Sequence, residues 1–275
     1  MSRRLRWWSS PQVEMRALAH EAGERHLQLL EHAAADLAPD DPALEDWFEQ
    51  YRRGHQQRLA LDLRLLEEHA APGARVLEVG AVPLLLTAAL AAQEYRVHAL
   101  DVAPQRFAGA IERLGLDVLR CDVETEPMPF PDDSFDVVLF NEIFEHLRID
   151  PIFTLEEVLR VLAPGGRLLL STPNLRSLRG LRNLLLRNQG HAVSPGGYSQ
   201  YEKLRSLGHM GHVREYTTRE VWDFLTRVGF RCQTLLFRGG YGRGPVGAVE
   251  WLLPFLRPFF TVVAVKPGAP AGGEA

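Results

Sequence analysis

The stretch RVLEVGAVPLLLTAALAAQEYRVHALD, residues 75–101, constrains the fold more than any other part of the chain. It reads as strand, tight turn, helix, strand. Val76, Leu77 and Val79 make a short apolar run suited to a strand buried on both faces. Gly80 marks a sharp turn, where a residue without Cβ lets the backbone come close to a ligand. Pro83 suits the first turn of a helix, because its missing N–H would have no intrahelical partner there. Residues 84–92 are dense in strong helix formers. Residues 95–100 form a second strand, and Asp101 sits at its carboxyl end. An acidic residue about 20 positions beyond a strand–glycine-turn–helix is placed to accept hydrogen bonds from a ribose. The stretch is therefore expected to hold a nucleoside at the carboxyl edge of a parallel sheet.

The turn also limits the ligand. A dinucleotide-binding turn needs G-x-G-x-x-G. Here only Gly80 stands, and Val82, Pro83 and Leu84 follow. Those side chains leave a pyrophosphate little room and few amides. The missing glycines, and the lack of a second βαβαβ half, argue against a nicotinamide dehydrogenase. A nucleoside without phosphates needs less.

Around this core, 46% apolar content suffices for a full interior, and a net charge of −4 gives no case for a nucleic-acid partner. Cys121 and Cys232 make neither a disulfide framework nor a metal cluster, and both read as small hydrophobes in sheet strands. No apolar run reaches the ~18 residues needed to span a bilayer. Arg3, Arg4 and Arg6 precede Trp7 and Trp8 with no signal-peptide core behind them, so a cytoplasmic protein is expected.

Residues 1–71 read as an N-terminal helical region capping the core. Residues 1–10 form a loose arm, and 11–37 look helical. The Pro39-Asp40-Asp41-Pro42 break follows, with Asp41 placed to cap the next helix and Pro42 at its first position. That helix carries Trp47, Phe48 and Tyr51 and continues or restarts through 59–69. Its bland reading is a cap packed on the sheet; its sharper one has Tyr51 and His55 lining the site mouth. After Asp101 the pattern gives a helix at 104–114, a strand at 116–120 ending in Cys121-Asp122-Val123, and a Pro-rich acidic loop at 124–133. A fourth strand, 135–140, ends at Asn141. A helix at 154–162 leads through an Ala163–Gly166 turn into a fifth strand at 167–171.

Insertions are expected at about 174–211 and 239–257. The first carries Arg176, Arg179, Arg182 and Arg187 on a Leu-rich helix, read as a solvated basic face or as a contact for an anionic substrate. Residues 190–208 suit a flexible lid. Thr217 or Thr218 caps a helix through Val228, strands follow at 230–237 and 259–265, and 268–275 is a disordered tail. The apolar segment 241–260 either packs on its own domain or a second subunit, which is the favoured reading, or docks on a membrane.

Glu78-x-Gly80, Asp101, Asp122, Phe135-Asp136-Val137-Val138 and Leu162-x-Pro164-Gly165-Gly166-x-Leu168 come in this order over residues 72–172. Together they resemble the class I S-adenosylmethionine-dependent methyltransferases. The resemblance implies an α/β Rossmann-like sheet of seven strands, six parallel and one antiparallel, with helices on both faces and the methyltransferase domain over 72–267. It implies S-adenosylmethionine as cofactor, held by Glu78, Gly80, Ala81, Asp101, Val102, Asp122, Val123 and Asn141. Asp122 falls where relatives contact the adenine amino group. His212-x-Arg214-x-Tyr216-Thr217 resembles the ubiquinone-biosynthesis and sugar-tailoring types. The expected reaction is O-methylation of a small-molecule or glycan hydroxyl. The alternative is a non-catalytic S-adenosylmethionine-binding or scaffold protein with a degenerate glycine turn.

Methyl transfer from a sulfonium is an in-line displacement in which alignment is the main task. A hydroxyl nucleophile also needs a base. Glu142-Ile143-Phe144-Glu145-His146 lies just past the fourth strand, and histidine is the natural base near neutral pH. His146 and Glu145 are thus the expected catalytic pair. In relatives that act on phenolic hydroxyls, a Glu-x-x-Glu-His run binds magnesium. Glu142, Glu145 and His146 match that spacing, but Ile149 and Asp150 blur the downstream acidic position, and the reading adopted has no metal.

Overall fold

The computed structural model describes residues 14–17, 23–194, 196–207, 211–239 and 244–268. The loose arm at 1–10 and residues 269–275 of the expected tail lie outside these. Eight strands form one sheet in the order β1-β7-β8-β6-β5-β2-β3-β4. They are β1 (Glu14–Ala17), β2 (Arg75–Val79), β3 (Arg96–Asp101), β4 (Val118–Arg120), β5 (Phe135–Asn141), β6 (Leu162–Pro173), β7 (Arg231–Arg238) and β8 (Phe259–Val265). Seven are those expected, with β8 antiparallel to β7. The chain divides into two compact units, Glu21–Leu139 with Arg160–Arg167, and the remaining described residues. β5 and β6 each run from one unit into the other.

In the first unit, β2 pairs in parallel with both β3 and β5, and β3 with β4. The chain thus moves outward from β2 to β4 and then returns to β2's other side. That reversal puts the switch point at the carboxyl end of β2, where open α/β sheets bind ligands. The expected nucleoside turn occupies this place. Val76, Leu77, Val79 and Leu100 are buried, as a two-sided strand core requires. Helices α1 (Glu24–Ala35), α2 (Glu45–His69) and α3 (Leu85–Ala91) pack on one another. Asp41 caps a single 3-10 turn ahead of α2, its carboxylate accepting from the Ala43 N–H at 2.9 Å, with Pro42 at the first position. α2 then runs unbroken for 25 residues.

In the second unit, α8 (Thr218–Val228) packs on β7 and β8. Thr217 and Glu220 form a capping box at its start, and Gly229 closes it in the left-handed region at φ 119°. Phe144, Tyr216 and Phe224 pack ring against ring. The remaining helices are α4 (Ala108–Leu114), α5 (Pro151–Val161), α6 (Leu178–Arg187), α7 (Gly197–Leu207) and α9 (Pro245–Leu252).

Several expectations are corrected. Residues 14–17, read as helix, form β1, because pairing in parallel with Thr234–Phe237 satisfies the backbone of the sheet edge. Residues 163–166, read as a turn, lie inside β6. Gly165 (φ 80°) and Gly166, where a Cβ would stand 2.7 Å from the Ala163 carbonyl oxygen, let the chain pass straight from α5 into the sheet. The lid stretch holds α7. Cys121 sits just past β4 rather than in it, while Cys232 lies in β7 with its thiol pushed up to about 12 by burial. Residues 241–243 of the apolar segment lie outside the described residues; in the rest, Leu256 and Phe260 are buried and Trp251, Leu252 and Leu253 are exposed.

Candidate active site

β2 ends at Val79, and Gly80 turns the chain at φ 75°. The N–H groups of Gly80 and Ala81 both donate to the Leu100 carbonyl, at 2.8 and 3.1 Å, so the turn is bound to the end of β3. Asp101 completes the link. Its Oδ2 accepts from the Val82 N–H at 2.9 Å and its Oδ1 from the Ala103 N–H at 2.8 Å. Pro83 is not in the helix as expected. The Val82–Pro83 peptide is cis, the Leu84 N–H donates back to the Ala81 carbonyl, and α3 begins only at Leu85. Leu84 takes the left-handed conformation, φ 69°, that a glycine would adopt without strain. Its side chain is fully buried, worth about 1.5–3 kcal/mol for a leucine against a left-handed penalty of about 1–2. Burial offsets the strain, which explains how the turn keeps its path without the second and third glycines.

Glu78 is buried one residue before the end of β2. Burial pushes its carboxyl up to about 8; the Thr87 hydroxyl, which donates to Oε2, pulls the other way, and the charges of Asp62 and Asp101 raise it while Arg58 lowers it. Asp62 and Arg58 come from α2, on the same stripe as Tyr51 and His55. The Tyr51 and His55 rings stack at 4.1 Å, the His55 Nδ1 donates to the Tyr51 carbonyl, and Arg58 donates to the Tyr51 hydroxyl at 3.0 Å. Burial, and then Arg58, hold the His55 imidazole below its usual range. The α2 stripe thus ends among the acidic groups of the turn, with Asp62 as its last member.

Glu78 sets a pH dependence. Below the ordinary value of 4.5 the carboxyl is protonated in folded and unfolded chains alike. Above it the unfolded chain releases the proton while the folded chain keeps it to about pH 8. Stability therefore falls as pH rises through that window, by up to roughly 1.4 kcal/mol per pH unit. Glu78→Gln is expected to flatten the fall in melting temperature between about pH 5 and pH 8. Equal slopes in both proteins would remove Glu78 as its source.

Of the other expected cofactor residues, Val102 is exposed beside Asp101. Asp122 follows β4, whose Arg120 is in register with Asp101. Its carboxylate accepts from the Glu124 N–H at 3.1 Å and its carbonyl from Thr125 and Glu126, so Asp122 and Val123 form a compact turn at the strand end.

The second unit gathers a different set. Asn141 ends β5, and Glu142 follows at φ 57° with its carboxylate accepting from the Ser171 hydroxyl at 3.0 Å. A 3-10 turn, Phe144–His146, then carries Glu145 inward. Glu145 is fully buried; its Oε2 accepts from the Thr172 hydroxyl at 2.9 Å, and its carbonyl from the Val213 and Arg214 N–H groups. His212 reaches the same place, with Nε2 3.9 Å from Glu145 Oε1 and its ring perpendicular to that of His146 at 4.9 Å. Its Nδ1 donates to Glu215 at 3.2 Å. Glu215 is buried, which alone would raise its pKa, but bonds from His212, the Ala192 N–H and the N–H and hydroxyl of Ser194 hold it down at about 2. The Glu215 carboxylate thus fixes the aim of His212 by accepting from its Nδ1. In the sequence His212 stands out only within its motif, because it and Glu145 are too far apart along the chain to leave a spacing signal.

Donor atoms of Glu145, His146 and His212 lie within 4.8 Å of one another. This is not the Glu142–Glu145–His146 set that the resemblance implies for magnesium. Glu142 is engaged by Ser171 instead, and two imidazoles with one carboxylate do not suit a cation that prefers oxygen. The magnesium set does not fit these residues.

Residues 77–170 match a protein-family model described as a methyltransferase domain. A ubiquinone biosynthesis O-methyltransferase of Xanthomonas campestris is 37% identical over 110 residues, 38% of this chain and 45% of that protein. A demethylmenaquinone methyltransferase of Clavibacter sepedonicus is 34% identical over 128 residues, 45% of this chain and 50% of that protein. The chain spans about half the length of these curated relatives. A solved SAM-dependent methyltransferase from Archaeoglobus fulgidus shares the fold, with a TM-score of 0.54 over 82% of this chain and all of that one, at 16% identity. The strand order, the Gly80 turn and the matched segment agree: residues 77–170 match the methyltransferase-domain family, and the chain shares the Rossmann-like fold of the solved methyltransferases.

Proposed function

We propose that the chain is an S-adenosylmethionine-dependent methyltransferase that methylates a hydroxyl of a small molecule. One observation carries the reading: Asp101 ends β3 at the switch point and is bonded to the Gly80 turn. There it presents a carboxylate to the ribose of a nucleoside, while the protonated Glu78, buried beside it, adds a hydrogen-bonding group rather than a charge. When bound, S-adenosylmethionine supplies a methyl on a sulfonium. Ala81, Val102, Asp122, Val123 and Asn141 complete the proposed cofactor contacts, Asp122 toward the adenine. His146 takes the proton of the acceptor hydroxyl as the methyl is transferred. Glu145 and His212 hold that imidazole in place, with Glu215 fixing His212.

Transfer to oxygen, rather than nitrogen or carbon, follows the O-methyltransferase name of the Xanthomonas relative. The names of both relatives point to quinone-type acceptors, with a sugar hydroxyl as the second acceptor class. A binding protein without activity is the competing reading, favoured by the side chains of Val82 and Leu84 where glycines are usual. Incubation with methyl-labelled S-adenosylmethionine and fractionated hydroxylated metabolites separates them. Label in an alkali-stable product is expected. Tight cofactor binding with no labelled product from any fraction would favour the binding protein.

A further inference from the structure

Two segments of the second unit have their polarity reversed. On α6 the buried residues are Gly180 and Asn183, behind the buried cap Ser177, while Leu184, Leu185 and Leu186 are 49%, 77% and 79% exposed. On α9 and the turn after it, Glu250 and Arg257 are buried, while Trp251, Leu252 and Leu253 are exposed. A surface meeting only water would place these groups the other way round. The two segments are joined. The Arg176 guanidinium lies over the Phe255 ring at 4.8 Å, and the Asn174 side chain donates to the Phe255 and Arg257 carbonyls at 2.9 and 2.8 Å.

Charge identifies the occupant. From Asn174 to Tyr201 the sequence has four arginines and no acidic residue, in a chain of net charge −4. Arg179, Arg182 and Arg187 are exposed on the same helix as the leucines. Tyr198 and Tyr201, on α7, are exposed as well. Leucines and a tryptophan beside arginines, with tyrosines near, are the composition of a segment lying in a lipid interface. A second copy of the chain fits less well, since a two-fold contact through this face would set arginine against arginine. No described helix is long and apolar enough to cross a bilayer, so the contact lies along the surface.

We propose that α6 and the α9 segment form a docking surface for an anionic membrane, with the leucines and Trp251 entering the headgroup region and the arginines meeting lipid phosphates. Flotation of the whole chain with vesicles tests it. Binding is expected to vesicles of phosphatidylcholine with phosphatidylglycerol, to weaken with added salt, and to be slight on phosphatidylcholine alone. Leu185→Ser with Leu186→Ser, and separately Arg179→Glu with Arg182→Glu, should each lower the bound fraction roughly tenfold. These side chains are exposed, so melting temperature and S-adenosylmethionine affinity should stay unchanged. A wild-type chain that stays unbound on anionic vesicles overturns the proposal. So does a wild-type dimer in sedimentation that the leucine substitutions dissociate while flotation is unaltered.

Discussion

Replacing Asp101 by alanine is expected to lower affinity for S-adenosylmethionine by roughly 2–4 kcal/mol, a loss of about 30- to 1,000-fold. Charge-assisted hydrogen bonds to two ribose hydroxyls are the strong kind, and a carboxylate can accept several bonds at once, as that of Asp101 does from the Val82 and Ala103 N–H groups. The alanine variant also leaves those two amides without their acceptor, so part of its loss comes from the turn. Asp101→Asn separates the parts. Its amide oxygen can still accept from the backbone, while the charge is gone and one oxygen has become a donor. The asparagine variant should melt close to the wild type yet lose most of the affinity. If it binds S-adenosylhomocysteine as tightly as the wild type, the ribose assignment of Asp101 is wrong.

His146→Ala is expected to lower turnover by about 100-fold or more, with cofactor affinity nearly intact. The pattern follows from where the residue sits. His146 belongs to the cluster with Glu145 and His212 in the second unit, whereas the Gly80 turn, Glu78 and Asp101 lie in the first. Loss of the base removes an interaction made as the hydroxyl gives up its proton, so kcat should fall with little change in the KM for cofactor. His212→Ala should lower turnover less, because its Nε2 faces the Glu145 carboxylate and its Nδ1 is bonded to Glu215. Exhaustive chelation should leave the wild-type rate unchanged, since the magnesium ligand set is not assembled. Full activity in His146→Ala would reject the base, and a rate abolished by EDTA and restored by magnesium would reject the metal-free account.

The parts of this molecule legible in the sequence are those whose signals are local. Apolar runs of five to seven residues gave β2, β3 and β5, and Gly80 with Asp101 located the turn, because strand period and glycine freedom act over a few residues. The Thr217-Thr218 pair marked the start of α8 for the same reason, and Thr217 is the residue that caps it. Long-range pairing was not legible. β1 exists only because β7 offers an edge more than 200 residues later. The Glu145–His212–Glu215 chain joins groups that no spacing rule connects. The left-handed Leu84 was hidden in another way: local propensity assigns that position to a helix, and burial of its side chain outweighs the preference. Outward-facing leucines on α6 were hidden as well, since a helical pattern locates an apolar stripe without saying which way it faces.

Titration calorimetry of the wild-type chain with S-adenosylmethionine, S-adenosylhomocysteine and a nicotinamide dinucleotide tests the central claim most directly. A turn with one glycine, closed by Asp101, should accept a nucleoside carrying an amino acid and refuse a pyrophosphate. One-to-one binding of the first two, with a dissociation constant of about micromolar order, and no heat from the dinucleotide is the predicted result. A folded chain that binds neither S-adenosyl compound, or that binds the dinucleotide as well as either of them, would contradict the account.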